Sequence, residues 1–259
     1  MTAACGGAAA APFALQGRTA LVTGSGSGIG QAIATGLAAA GADLVLLSER
    51  DNMADTVARV EAHGRTAKRL VLDLSRVDEL AGPVDALLAD RQVDILVNNA
   101  GIIRRQPAAE FSDANWYDVL DVNLNAVFAL TRRVAGPMLE RRSGKVVNIA
   151  SLLSFQGGLL VASYAASKHA VVGLTRALAN EWAPCNVQVN AIAPGYIETQ
   201  TTAALRADPA RNREILARIP AGRWGVAGDV SAAAVFLAAP ASGYVTGHVL
   251  AVDGGWLAR

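Results

Sequence analysis

The chain has 259 residues, 52% of them hydrophobic and 17% charged, which is ample material for a buried core and excludes a disordered or fibrous protein. Its 23 basic and 22 acidic residues leave a formal charge of +1, which argues against a nucleic-acid footprint or a polybasic membrane anchor and leaves small neutral or anionic molecules as partners. No run of 18 or more apolar residues goes uninterrupted, and the two cysteines, Cys5 and Cys185, make neither a disulfide framework nor a metal pair, so a cytoplasmic protein without a membrane span is expected.

Residues 1–14 are rich in small residues and lack the basic start of a signal peptide, so they are expected to form a flexible tail, followed by a single domain over 15–259. From there short apolar runs alternate with helical patterns. RTALVTG, ADLVLLS, AKRLVLDL, VDILVNN, KVVNIAS, NVQVNAIAPG and HVLAVDGG read as strands, with a long helix near Ser112 to Arg133 and another carrying Tyr164. Strands that are apolar on both sides and separated by helices predict an α/β fold, a doubly wound parallel sheet of about seven strands covered on both faces. The polar, helix-prone stretch 196–225 reads as a lid placed before the final helix and strand.

TGSGSGIG follows the first strand and opens a helix. Gly24 permits a tight exit from the strand, Gly28 lets the backbone approach a phosphate, and Gly30 lets helix and strand pack closely. Unpaired N–H groups at Ser27, Gly28 and Ile29 would then face a pyrophosphate. The spacing is G-x-x-x-G-x-G, with Gly26 as an extra glycine, and not G-x-G-x-x-G. At the end of the second strand, where a nucleotide ribose is read, stand Ser48 and Glu49; a carboxylate there repels a 2′-phosphate and favours NAD over NADP, with Arg50 pulling the other way. Asp73, followed by Leu74 beyond the third strand, could accept from an adenine amino group or simply cap the strand end.

Thr23-Gly24-x-x-x-Gly28-x-Gly30, NNAG at Asn98 to Gly101, Asn123, Ser151, Tyr164-x-x-x-Lys168 and Pro194-Gly195 occur in order, and together they resemble the short-chain dehydrogenase/reductases over nearly the whole chain. Ser151 and Tyr164 are thirteen residues apart, as in that family. The resemblance implies a catalytic set of Asn123, Ser151, Tyr164 and Lys168. Tyr164 would be the general acid or base, Ser151 would bond the substrate oxygen, Lys168 would hold the nicotinamide ribose, and Asn123 would hold a water linking Lys168 to solvent. It also implies a dinucleotide cleft lined by Asn99, Ala100, Gly101, Pro194, Gly195, Ile197 and Thr199. Tyr164 and Lys168 lie one helical turn apart. A cation at about 4 Å in an effective dielectric of about 20 gives roughly 4 kcal/mol, enough to lower a phenol by about three pH units.

The substrate is read from the loop after NNAG, where Arg104 or Arg105 could grip a carboxylate. The segments NNAGIIRR, IASLLSFQGG, IPAGRWG and VDGGWLAR resemble the members of the family that act on 2-deoxy-D-gluconate or 2-dehydro-3-deoxy-D-gluconate with NAD. That implies oxidation of a secondary hydroxyl on a small sugar acid, with Ser154, Gln156 and Arg223 near the sugar hydroxyls, in a homotetramer joined through the Tyr164 helix and the last helix and strand. His63, His169 and His248 are too scattered for a metal triad, and no metal is expected. Two other readings compete. A 3-oxoacyl thioester reductase would want NADPH and a basic docking patch, and a dinucleotide-sensing module would carry a damaged Ser, Tyr or Lys, whereas all three are intact.

Overall fold

The computed structural model describes residues 12–259. Seven strands form one parallel sheet: β1 Thr19–Thr23, β2 Asp43–Ser48, β3 Ala67–Val71, β4 Ile95–Asn98, β5 Gly144–Ile149, β6 Val187–Pro194 and β7 Val249–Val252, in the order β3-β2-β1-β4-β5-β6-β7. Adjacent residues of β1 point to opposite faces and seed two separate cores. Val22 joins Ile33 and Leu37 of α1 (Gly28–Ala39), whereas Leu21 joins Leu96 of β4 and Leu47 of β2 on the other side.

The first face is completed by α2 (Ala54–Glu61) and, much later in the chain, by α9 (Ala227–Ala238). Helices α1 and α9 touch so closely that a Cβ on Gly36 would stand 2.1 Å from Ser231 Oγ, which donates to Ala32 O at 2.8 Å. The second face is covered by α3 (Ala81–Asp90), α5 (Ala126–Glu140) and α6 (Ala162–Trp182), whose Val84, Leu130 and Leu178 are buried together.

Two expectations need correction. β3 is not apolar on both sides: Lys68, Arg69 and Val71 are exposed, because this strand is the sheet's edge and needs charge to discourage further pairing. The long helix near Ser112 to Arg133 is present and unbroken, but it is not α-helical throughout and it runs further. It comprises α4 (Asp113–Leu120), a π-helical turn at Asp121–Asn125, and α5, which ends at Glu140. Ser112 starts α4 by accepting from the backbone N–H of Asn115 at 3.2 Å.

Residues 196–225 form two helices, α7 (Ala203–Ala207) and α8 (Pro209–Arg218), which pack into a small cluster of their own with Leu152, Trp224 and Trp256. Most of the expected tail lies outside the described residues, but Phe13 stacks obliquely on Phe236 of α9, their centroids 6.4 Å apart. Among the described residues no helix is long and apolar enough to cross a membrane.

Candidate active site

The sheet order reverses direction between β1 and β4, so the loops leaving these two strands diverge and open a crevice at their carboxyl ends. The floor of that crevice is stitched by one hydroxyl. Thr23 Oγ1 accepts from the backbone N–H groups of Asn99 and Ala100, both at 2.9 Å, and the Asn99 amide donates to Thr23 O at 2.9 Å and Gly24 O at 3.2 Å. Asn98 is buried below, donating to Thr131 Oγ1 and Asn148 Oδ1, both at 2.8 Å, and so knits β4 to β5 and α5.

The glycine loop is shaped by contacts that only glycine permits. A Cβ on Gly30 would stand 2.2 Å from Gly24 O, so helix and strand could not meet. Gly26 takes the side chain of Asn52, whose Oδ1 would be 2.3 Å from a Cβ there. Gly28, at φ 56°, faces Thr199 across the cleft, where an added Cβ would lie 3.7 Å from the threonine methyl and fill the gap. A cradle that a single methyl would narrow, at a helix start whose Ser27 makes no side-chain cap, fits a dinucleotide pyrophosphate. The loop is pinned from below by Ser25, which donates to Leu47 O at 3.2 Å, and by Thr56, which donates to Ser25 O at 2.8 Å.

At the ribose end Ser48 is buried and donates to Asn52 Oδ1 at 2.9 Å, while Glu49 and Arg50, both exposed, pair with each other at 3.1 Å. Asp73 caps its own turn: the backbone N–H and hydroxyl of Ser75 hold its carboxyl below the usual range. Leu74 is buried in the second core. Above the crevice, Gly195 packs so tightly that a Cβ would be 2.6 Å from Asp253 Cα, Ile197 is buried, and Thr199 caps the short turn that follows.

The catalytic candidates converge at the same edge. Ser151 follows β5 in extended backbone, its Oγ accepting from Leu153 N at 3.1 Å, and Tyr164 stands in the first turn of α6, where Ser151 draws its phenol down. Lys168 lies one turn further along the helix, buried, with its Nζ donating to Ile149 O at 2.6 Å and standing 5.6 Å from the Tyr164 ring centre. Gly101 crosses above: a Cβ there would be 3.2 Å from Asn123 Oδ1 and 3.7 Å from Lys168 Nζ. Ser154, offered for the sugar, is buried and donates instead to Lys168 O at 2.7 Å, so it holds the helix in place.

Asn123 is engaged at both ends of its amide. Its Oδ1 accepts from Ile102 N at 2.8 Å, and its Nδ2 donates to Ile102 O at 3.0 Å and Ser167 Oγ at 3.1 Å. The side chain is a strut between the substrate loop and α6, and its place on the π turn aims it inward.

The electrostatics differ from the simple picture of a lysine that lowers a tyrosine. Burial pushes the Tyr164 phenol up; the Ser151 hydrogen bond and the charge of Arg105 pull it down. Burial likewise pushes the Lys168 ammonium down to about 8. The two arginines separate: Arg104 pairs with Asp118 of α4, whereas Arg105 reaches Tyr164 with its charge. Arg223 is taken by Asp229, at 2.8 and 3.1 Å, and is thereby drawn to the start of α9. Gln156 Oε1 accepts from the Trp256 indole at 3.2 Å.

Sequence reasoning missed Ser25, Asn52 and Trp256. Each acts on a partner distant in the chain or through a side chain with no motif of its own, and only the glycine at position 26 hinted at close packing.

Residues 24–257 match the family described as enoyl-(acyl carrier protein) reductase. A Bacillus subtilis protein named 2-dehydro-3-deoxy-D-gluconate 5-dehydrogenase is 56% identical over 247 residues, 95% of this chain and 97% of its own length. The chain belongs to the short-chain dehydrogenase/reductase family. Its Escherichia coli relative of the same name is 50% identical over 249 residues, covering 95% of this chain and 98% of its own. Among solved short-chain dehydrogenases, a Beutenbergia cavernae structure assigned as an NAD(P)-dependent gluconate 5-dehydrogenase, with NADP bound at low occupancy, superposes with a TM-score of 0.94 at 56% identity, covering 96% of this chain and 100% of its own. One from Agrobacterium tumefaciens assigned as a 2-deoxy-D-gluconate 3-dehydrogenase, with NADP bound, gives 0.90 at 55% identity over 96% and 99% of the two chains. A dinucleotide-dependent oxidoreductase of CH–OH groups follows.

Proposed function

We propose that this enzyme reversibly interconverts a secondary hydroxyl and a ketone on a keto-deoxy sugar acid of the 2-dehydro-3-deoxy-D-gluconate type. The observation that carries the reading is the convergence of Ser151, Tyr164 and Lys168 at the sheet edge where the loop bearing Arg104 and Arg105 leaves β4; Arg104 is held by Asp118, and the charge of the exposed Arg105 helps to lower the Tyr164 phenol. A guanidinium there suits a small substrate carrying a carboxylate near the reacting carbon. The names of the relatives point to the same substrate class.

The bound dinucleotide supplies or takes up the hydride. Tyr164 gives its proton to the ketone oxygen in reduction and removes the hydroxyl proton in oxidation. Because burial keeps the phenol protonated, reduction needs no preparation, whereas oxidation depends on nearby cations to favour the phenolate. Arg105 is one of them; Lys168, an ammonium titrating at about 8 and so charged near neutrality, would hold the nicotinamide ribose. Ser151 bonds the same substrate oxygen as charge grows on it. Gly28, the NNAG segment and Thr199 would hold the nucleotide, and residues 196–225 would close over it as a lid.

At the adenosine end the Glu49 carboxylate favours NAD, but its pairing with Arg50 blunts the repulsion of a 2′-phosphate. We read the site as accepting either dinucleotide, with the exposed Arg50 able to turn from Glu49 to a 2′-phosphate and Glu49 to a ribose hydroxyl. A cytoplasmic homotetramer joined through α6 and the α9–β7 end fits this reading, since β7 is an open edge whose Val249 and Leu250 are only half-buried. Light scattering at micromolar concentration tests the assembly, a monomer being the adverse result.

The activity is tested by absorbance at 340 nm, with NAD⁺ and NADP⁺ each offered gluconate, 2-deoxygluconate, keto-deoxygluconate and simple alcohols, and the reduced dinucleotides offered a 3-oxoacyl thioester. Turnover confined to the acids is expected. Equal turnover of alcohols that lack a carboxylate, or turnover of the thioester alone, would overturn the reading.

A further inference from the structure

We propose that Trp256 is a positioning residue that holds the Gln156 amide toward the sugar hydroxyls and links it to the segment above the cleft. The proposal rests on the sugar-acid reading and deepens it. Gln156 lies five residues beyond Ser151 and eight before Tyr164, in the loop that joins the Ser151 turn to α6. That loop has few other ties: Leu160 O accepts from Gln106 N at 2.9 Å, and Leu152 O accepts from Phe155 N at 3.0 Å and Gln156 N at 3.3 Å. Phe155, Leu159 and Leu160 are exposed, and two glycines follow Gln156 directly. A glutamine in such a loop would sample many rotamers, and ordering it on binding would weaken the complex.

The indole N–H removes that freedom. It donates to Oε1 at 3.2 Å, which fixes the orientation of the amide and leaves the Nε2 end as a donor for a hydroxyl. Trp256 is itself held firmly, 5% exposed, with the Arg218 guanidinium 4.0 Å from its ring centre and the Tyr196 ring at 4.7 Å. Tyr196 in turn meets Trp224 edge-on at 5.4 Å. Leu152, the neighbour of Ser151, is buried in the same cluster as Trp256 and Ile219. Gly254 and Gly255 have positive φ, and a Cβ on either would come within 2.9 Å of Ile219 or Pro220, so the turn that presents the indole can take no side chains. Asp253 locks this turn by accepting from the N–H groups of Gly255 and Leu257, both at 2.9 Å. One tryptophan therefore joins the Ser151 turn, the glutamine and the 196–225 segment in a single packed unit.

The test uses the full-length enzyme saturated with dinucleotide. Trp256→Phe keeps the ring and removes the donor. It is expected to raise KM for the sugar acid about tenfold, the scale of one hydrogen bond, with kcat reduced less than threefold. The dinucleotide Kd, read by fluorescence of the reduced form, is expected to stay within twofold. Gln156→Ala is expected to give the same rise, and the double variant no more than either single one. An unchanged KM in Trp256→Phe, a parallel rise in dinucleotide Kd, or multiplying effects in the double variant would overturn the proposal. Gln156→Met, neutral and of similar length, serves if Trp256→Phe does not fold: a raised KM with an unchanged dinucleotide Kd supports the role and an unchanged KM rejects it. A wild-type enzyme inactive on every sugar acid would instead reject the functional reading beneath it.

Discussion

Arg104 and Arg105 are adjacent in the chain, yet they meet different surroundings. Arg104 turns to the Asp118 carboxylate, whereas Arg105 contributes its charge to the Tyr164 phenol. A charge-assisted bidentate grip on a carboxylate contributes about 1.5–3 kcal/mol, so Arg105→Ala is expected to raise KM for the sugar acid about 10- to 100-fold, and Arg104→Ala by much less, in steady-state kinetics. The same change tests the electrostatics. Arg105 favours the phenolate, so its removal raises the phenol's pKa, and the pH at which oxidation reaches half its maximum is expected to move to more alkaline values. An acid limb that stays in place would separate Arg105 from the phenol. Tyr164→Phe removes the proton carrier and is expected to lower kcat by about 10²- to 10⁴-fold.

The junction between α4 and α5 shows where sequence reading stops. The strands were legible because buried parallel strands are continuous apolar runs bounded by glycine, proline or asparagine, and the order of the motifs placed Ser151, Tyr164 and Lys168 at one sheet edge. The π turn at Asp121–Asn125 was not legible, because one extra residue in a turn leaves the apolar periodicity on either side nearly intact. It matters for Asn123, which is fully buried and makes three hydrogen bonds to Ile102 and Ser167. Asn123→Ala leaves those partners unsatisfied, at about 2 kcal/mol. With about 2–4 °C lost per kcal/mol in a domain of this size, calorimetry is expected to show a Tm lower by about 4–8 °C. A Tm within 1 °C of wild type would mean that the strut is dispensable. The roles of Ser154 and Gln156 were likewise unreadable, since their partners Lys168 O and Trp256 are set by tertiary packing.

Across the whole molecule, two lysines are held at about 8, Lys168 at the carboxyl edge of the sheet and Lys145 at the amino edge of β5, where it donates to Ser242 Oγ at 3.2 Å. Burial lowers both below their unfolded value of about 10.4, so between these limits the unfolded chain binds more protons than the folded one. Stability therefore rises with pH from about 8 to about 10.4, and the burden of the charged form is fully present below 8. For the fully enclosed Lys168 the burden is about 3 kcal/mol. Urea titrations of Lys168→Met at pH 7 and pH 9.5 are expected to show a smaller gain on raising the pH than wild type shows. An equal gain in both proteins would remove Lys168 as its source.

The hydroxyl of Thr23 has a lasting effect on how the cleft meets its ligands. By accepting two backbone N–H groups from the neighbouring strand end, it sets the nucleotide platform when the chain folds, with no ligand needed to shape it. Ligand binding then leaves little ordering to be done along Asn99 and Ala100. Their amide protons are expected to exchange with deuterium equally slowly in the empty and the loaded enzyme, while those of residues 196–225 slow on loading.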